Sequence, residues 1–156
     1  MPISPLHSII PAVAAAILLG SAASAGPLPA PVRKAIDEAT ANCRPQKVTL
    51  DNGFVTTRDV NGDGIPDYIV NYEAFRCGES FTFYCGSAGC LTQVFVSTGG
   101  TYATAVNENV EKIAFETVGG RPAILLGLHG SACGRPGVEP CGTTLVWNGT
   151  RFRATR

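Results

Sequence analysis

From Asp59 to Asp67 the chain reads Asp-Val-Asn-Gly-Asp-Gly-Ile-Pro-Asp, a run of oxygen-bearing side chains suited to holding a cation. Oxygen-bearing side chains stand at the first, third, fifth and ninth positions, and glycine at the sixth. A hard cation such as calcium takes about six to eight oxygens at ~2.3–2.6 Å, and a chain that wraps around it presents alternate side chains inward. The spacing therefore predicts one Ca2+ ion held by Asp59, Asn61, Asp63 and Asp67, with the backbone carbonyl of Ile65 as a further ligand. Gly64 permits the sharp turn that brings Asp67 back toward Asp59. Three carboxylates this close repel one another unless something neutralises them. The competing reading is an Asp- and Gly-rich turn solvated without metal.

The loop departs from a helix-loop-helix calcium site in two ways. Its twelfth position is Val70 rather than a bidentate Glu, and Pro66 leads into Tyr68-Ile69-Val70, which reads as a strand. It resembles instead the Asp-x-Asn-x-Asp-Gly-x-x-Asp loops of FG-GAP and related VCBS repeats, which join two strands of a β-sheet blade. That resemblance implies the same calcium ligands, Asp59, Asn61, Asp63, the Ile65 carbonyl and Asp67. It spans roughly residues 54–72 and the loop occurs once, which excludes a complete propeller, since a propeller repeats its blade several times. The missing twelfth-position ligand implies modest affinity, about 10⁻⁴ to 10⁻³ M, the range of extracellular modules. The Cys-Gly-Ser-Ala-Gly-Cys segment and the Trp-Asn-Gly-Thr-Arg-Phe ending look like those of small exported bacterial proteins.

Weaker candidates lie elsewhere. His129-Gly130-Ser131 follows an apolar run and sets a base beside a hydroxyl, the minimum of a small hydrolase. No acid at a recognisable spacing and no nucleophile elbow accompany it, and a lone strand-end His is more often a hydrogen-bonding residue. Glu73 and Glu79 flank Cys77 and offer a carboxylate pair for glycoside chemistry, but two acids in a polar loop are usually only solvated. No catalytic residue is assigned.

All six cysteines, Cys43, Cys77, Cys85, Cys90, Cys133 and Cys141, lie after residue 25. Residues 1–25 read as a signal peptide: they contain no Lys, Arg, Asp or Glu, are apolar from Ile9 to Leu19, and end in Ala23-Ser24-Ala25, with cleavage expected before Gly26. The apolar stretch is shorter than the ~20 residues a bilayer span needs. An exported chain meets an oxidising compartment, so three disulfides are expected, in a periplasmic or secreted bacterial protein. Short spacing favours Cys85 with Cys90 and Cys133 with Cys141, leaving Cys43 with Cys77. A redox or zinc site would want Cys-x-x-Cys pairs and nearby histidines, and the mature chain has His129 alone.

Periodicity indicates the helix and strands around these groups. Residues 26–46 form a proline-rich leader and an N-terminal helix, with Val32, Ile36, Ala39 and Cys43 on one apolar face and Pro31 at its start. Residues 47–156 read as short strands and turns, completing a single domain over 26–156. Expected strands cover 48–50, 54–57, 68–72, 81–84, 91–97, 102–106, 112–117, 123–128, 144–147 and 151–154. Asn52-Gly53 and Asn148-Gly149 are read as tight hairpin turns, with Leu145 and Trp147 pointing into the core. The expected class is mainly β (α+β), one helix packed on a roughly seven- to eight-stranded antiparallel sheet or sandwich, disulfide-stabilised.

Twelve basic residues balance twelve acidic ones, so no net field favours nucleic acid or an anionic membrane. Arg151, Arg153 and Arg156 read as solubilising charges on a last strand. The function expected from sequence is an exported, calcium-stabilised binding or structural domain without catalytic activity, open to a protein or glycan partner. The alternative is a protein inhibitor of a secreted hydrolase, whose stiff disulfide-closed loops would enter a cleft at little entropic cost. A small hydrolase using His129 and Ser131 comes last.

Overall fold

The computed structural model describes residues 26–139 and 141–155; the expected signal peptide and Arg156 lie outside the described residues. One α-helix, α1 (Ala30–Asn42), precedes eleven strands: β1 (Val48–Leu50), β2 (Val55–Arg58), β3 (Asp67–Asn71), β4 (Phe75–Cys77), β5 (Cys85–Gly86), β6 (Gly89–Thr98), β7 (Thr101–Val110), β8 (Lys112–Val118), β9 (Arg121–Leu128), β10 (Cys141–Trp147) and β11 (Phe152–Ala154). Short 3-10 turns cover Tyr72–Ala74 and Gly130–Cys133. The class is mainly β with antiparallel pairing, as the periodicity indicates.

Three layers result. In the middle sheet β2 pairs with β3 and β3 with β6, while β6 also pairs with β5 and, along most of its length, with β7. A second sheet runs in the order β11-β10-β9-β8. Strand alternation divides the middle sheet between two cores. Tyr68, Val70, Leu91 and Phe95 pack with Val32, Ala39, Phe54, Tyr72 and Phe75 beneath α1. Ile69, Val94 and Val96 pack with Val106, Ile124 and Leu126 between the sheets. Val70, Val94 and Ile124 are fully enclosed, and each such side chain contributes about 1.5–3 kcal/mol relative to exposure.

The helix is where its apolar face placed it: Val32 and Cys43 are fully buried and Pro31 lies in the first turn. All three disulfides form as spacing favours, Cys43–Cys77 tying the end of α1 to β4, Cys85–Cys90 joining β5 to β6, and Cys133–Cys141 closing the β9–β10 connection. The apolar run at 123–128 is a central strand, β9, flanked by β8 and β10.

Several local expectations are corrected. The Asn52-Gly53 turn exists, with Gly53 at φ +90° and the Phe54 N–H donating to the Asp51 carbonyl, but it does not join a hairpin. β1 leaves to pair with β4, whereas β2 pairs with β3, because Phe54 is drawn into the core against Tyr72 and Phe75. Residues 81–84 are not a strand: Tyr84 packs edge-on against Tyr72 and Phe75 while Phe81 and Phe83 stay exposed, and 75–77 forms the strand instead. The last connection is not a two-residue turn either. Asn148 accepts hydrogen bonds from the Thr150 and Arg151 N–H groups, which makes a four-residue link and takes Arg151 out of β11.

Candidate functional site

Residues 59–66 connect β2 to β3, adjacent antiparallel strands whose pairing ends at Arg58 and Asp67. The loop therefore sits at a strand junction, one end in each strand. Gly62 and Gly64 both adopt positive φ, +81° and +80°, a conformation that favours glycine and folds the chain back over its own carboxylates.

Each of the three carboxylates accepts three hydrogen bonds. Asp59 takes the N–H groups of Gly62 (2.7 Å), Asp63 (3.2 Å) and Gly64 (2.9 Å). Asp63 takes the Ile65 N–H at 2.7 Å, the Ser97 hydroxyl at 2.6 Å and the Asn61 amide at 3.1 Å. Asp67, fully buried, takes the N–H groups of Val60 (2.7 Å), Asn61 (3.3 Å) and Ser97 (2.8 Å). The Ser97 and Ile65 bonds, with a smaller contribution from Asn61, hold the exposed Asp63 carboxyl below its ordinary range. The repulsion expected between these acids is thus met in part by backbone amides of the loop itself, which is the difference between structure and sequence reading here.

Asn61 is buried. Its side-chain amide donates to the Ser97 carbonyl at 3.0 Å, and its Oδ1 accepts from the Asp63 N–H at 3.1 Å. Ile65 is exposed and its N–H is taken by Asp63. Asp59, Asn61, Asp63 and Asp67 therefore belong to one hydrogen-bonded unit, anchored on Ser97 at the end of β6. Sequence reasoning missed Ser97: a serine 34 positions beyond Asp63 carries no local signal, and only the pairing of β3 with β6 brings it there.

The donor set is all oxygen and suits a hard cation. A carboxylate offers about four lone-pair positions, so three accepted hydrogen bonds leave room on each acid for one further interaction. Among the described residues, no three His, Cys, Asp or Glu side chains stand close enough together to hold a metal ion. The five residues expected to ligate differ in how open they are: Asp59, Asp63 and Ile65 are exposed, whereas Asn61 and Asp67 are buried.

A cleft of about 290 Å³ opens beside the loop, lined by Asn61, Asp63 and Ser97 together with Trp147 and Thr150. A larger groove of about 510 Å³ lies between the middle sheet and β8, lined by Thr92, Glu73, Glu111, Lys112 and Phe115 among others.

His129 and Ser131 do come together, Nδ1 to Oγ at 2.8 Å. The contact is local: His129 caps the 3-10 turn and its Nδ1 also accepts the Ser131 N–H at 3.4 Å. The ring lies against Gly137, where an added Cβ would come within 2.4 Å of it. This packing accounts for the histidine as a brace for the loop closed by Cys133–Cys141. Glu73 and Glu79 are exposed at either end of β4. No helix among the described residues is long and apolar enough to cross a membrane.

The chain matches no protein-family model, no curated protein and no solved structure.

Proposed function

We propose that the chain is an exported, calcium-stabilised binding or structural domain without catalytic activity. The observation that carries this reading is the Asp59–Asp67 unit: a strand-joining loop with oxygen side chains at alternate positions, tied through Ser97 to the neighbouring strand. An ion bound there neutralises Asp59 and Asp63 and holds β2, β3 and β6 in register. The FG-GAP/VCBS-like spacing supports the same ligands, and the three disulfides support an oxidising compartment, periplasmic or secreted. Because the loop opens no helix pair, the ion acts as a staple rather than a switch.

Calcium at tenfold its dissociation constant adds about 1.4 kcal/mol to stability by mass action. Thermal unfolding with calcium and with chelator tests this. A rise in midpoint that disappears in Asp63→Ala supports calcium, and an unchanged midpoint leaves a metal-free turn held by its own backbone amides.

A second reading is favoured by one observation. Val138 is 93% exposed in a tight turn, with the Glu139 N–H donating to the Pro136 carbonyl at 2.9 Å, inside the loop closed by Cys133–Cys141. A rigid apolar tip of this kind suits a protein inhibitor of a secreted hydrolase. Inhibition of a panel of secreted hydrolases, abolished by Val138→Asp, tests that alternative.

A further inference from the structure

The cleft beside the loop brings Trp147, Gly149 and Thr150 against residues 61–63, a neighbourhood that ion binding does not require. Its open lining includes Asp63, Trp147 and Thr150, while Asn61 and Ser97 are buried with their side chains hydrogen-bonded within the loop unit. Across the indole a second hollow of about 110 Å³ shares Thr98, Trp147 and Thr150 with the first and continues to Phe152. Trp147 is thus a common wall between two adjoining depressions.

Resting on the binding-module reading, we infer that this double cleft binds a neutral saccharide, with Trp147 packing against the sugar and the exposed Asp63 and Thr150 side chains hydrogen-bonding its hydroxyls. The chemistry is complementary on three counts. Sugars combine apolar C–H faces with a rim of hydroxyl donors, and the cleft pairs an indole with the Asp63 carboxylate and the Thr150 hydroxyl. Its volume lies at the small end of ligand pockets, about 300–1,000 Å³, which suits one sugar ring in the main hollow and the start of a second beyond the indole. No Lys, Arg or His lines the main hollow, where Asp63 supplies negative charge, and Arg151 lines the second hollow alone, so the main hollow does not recruit a phosphate or a carboxylate.

The site is also preorganised. The Trp147 ring packs against Phe152 with centroids 5.1 Å apart and planes tilted by 52°, across the β10–β11 pairing. The turn that carries Gly149 and Thr150 is pinned by Asn148, which accepts from the Thr150 N–H, the Thr150 hydroxyl and the Arg151 N–H at 2.9–3.0 Å. Asp63 is fixed by the bonds it accepts from Asn61 and Ser97. Rigid walls of this kind reduce the entropy lost on binding.

Trp147 is the only tryptophan in the chain, so its emission reports directly on the cleft. The experiment titrates the folded protein, in saturating calcium and in chelator, with maltose, cellobiose, chitobiose and mannobiose, and with choline as a cationic control. The expected result is a saturable emission change with at least one disaccharide, weakened at least tenfold in Asp63→Asn and unchanged in Phe81→Ala. Amide shifts in the unsubstituted protein, centred on Gly99, Gly149 and Thr150, keep the test independent of how the variant folds. No saturable change with any sugar up to its solubility limit, or a response to choline alone, overturns the inference. Calcium stabilisation without a sugar response removes only the saccharide site. A sugar response without calcium stabilisation removes only the ion.

Discussion

The Asp67 carboxylate accepts the N–H of Ser97 at 2.8 Å, joining the first residue of β3 to the end of β6 across 30 positions of sequence. Asp67 has no solvent exposure, and the same carboxylate holds Val60 and Asn61 at the start of the loop. One buried acid thereby fixes the loop to both strands.

Replacing it should be costly. Asp67→Ala leaves three backbone donors in the interior without an acceptor, and each unsatisfied buried group costs about 1–3 kcal/mol. The variant is expected to lose about 3 kcal/mol or more in urea unfolding, and Asp67→Asn to fall between it and the unsubstituted protein. A loss below 1 kcal/mol would mean that the loop is held by other contacts.

The disulfides should differ in worth according to the chain they enclose. Chain entropy assigns about 4 kcal/mol to Cys43–Cys77, which spans 34 positions, and about 2 kcal/mol to Cys85–Cys90, which spans five. Paired Cys→Ser variants compared by denaturant unfolding test the order. Cys43–Cys77 also seals the core under α1, so its removal is expected to loosen the helix first, visible as faster amide exchange at Val32 and Ala39.

Alkaline pH should unfold the protein partly through Tyr72. Burial, reinforced by the neighbouring Tyr84 and Glu38, pushes its phenol up from the usual 10 to about 12. A proton held more tightly in the folded state gives stability that is complete below pH 10 and lost as pH rises toward about 12, where the unfolded chain ionises first. Tyr72→Phe should flatten the decline of the urea midpoint over that window. At neutral pH it should cost about 1 kcal/mol for the hydrogen bond to Gln93, which is 2.8 Å long. An equal decline in both proteins would assign the alkaline loss to other groups.

Much of this architecture was legible in sequence because it rests on local patterns. The spacing of Val32, Ile36, Ala39 and Cys43 marked the helix and its buried face, the run at 123–128 marked a central strand, and the short Cys–Cys intervals marked two of the bridges. What sequence hid depends on contacts between distant positions. Asn52-Gly53 is a genuine turn, yet long-range packing of Phe54 on Tyr72 and Phe75 decides that its flanking strands part company. At the loop, alternate oxygens were visible, but the role of Ser97 was not, nor was the cleft that Trp147 shares with Asp63. Both arise only when β6 and β10 are laid beside residues 59–67.

Equilibrium dialysis against labelled calcium is the most direct measurement of ion binding by this loop. One ion per chain is expected, with a dissociation constant of about 10⁻⁴ to 10⁻³ M, abolished in Asp59→Ala and Asp63→Ala variants that remain folded. Absence of bound calcium at tenfold that concentration, or binding that survives both substitutions, would contradict it.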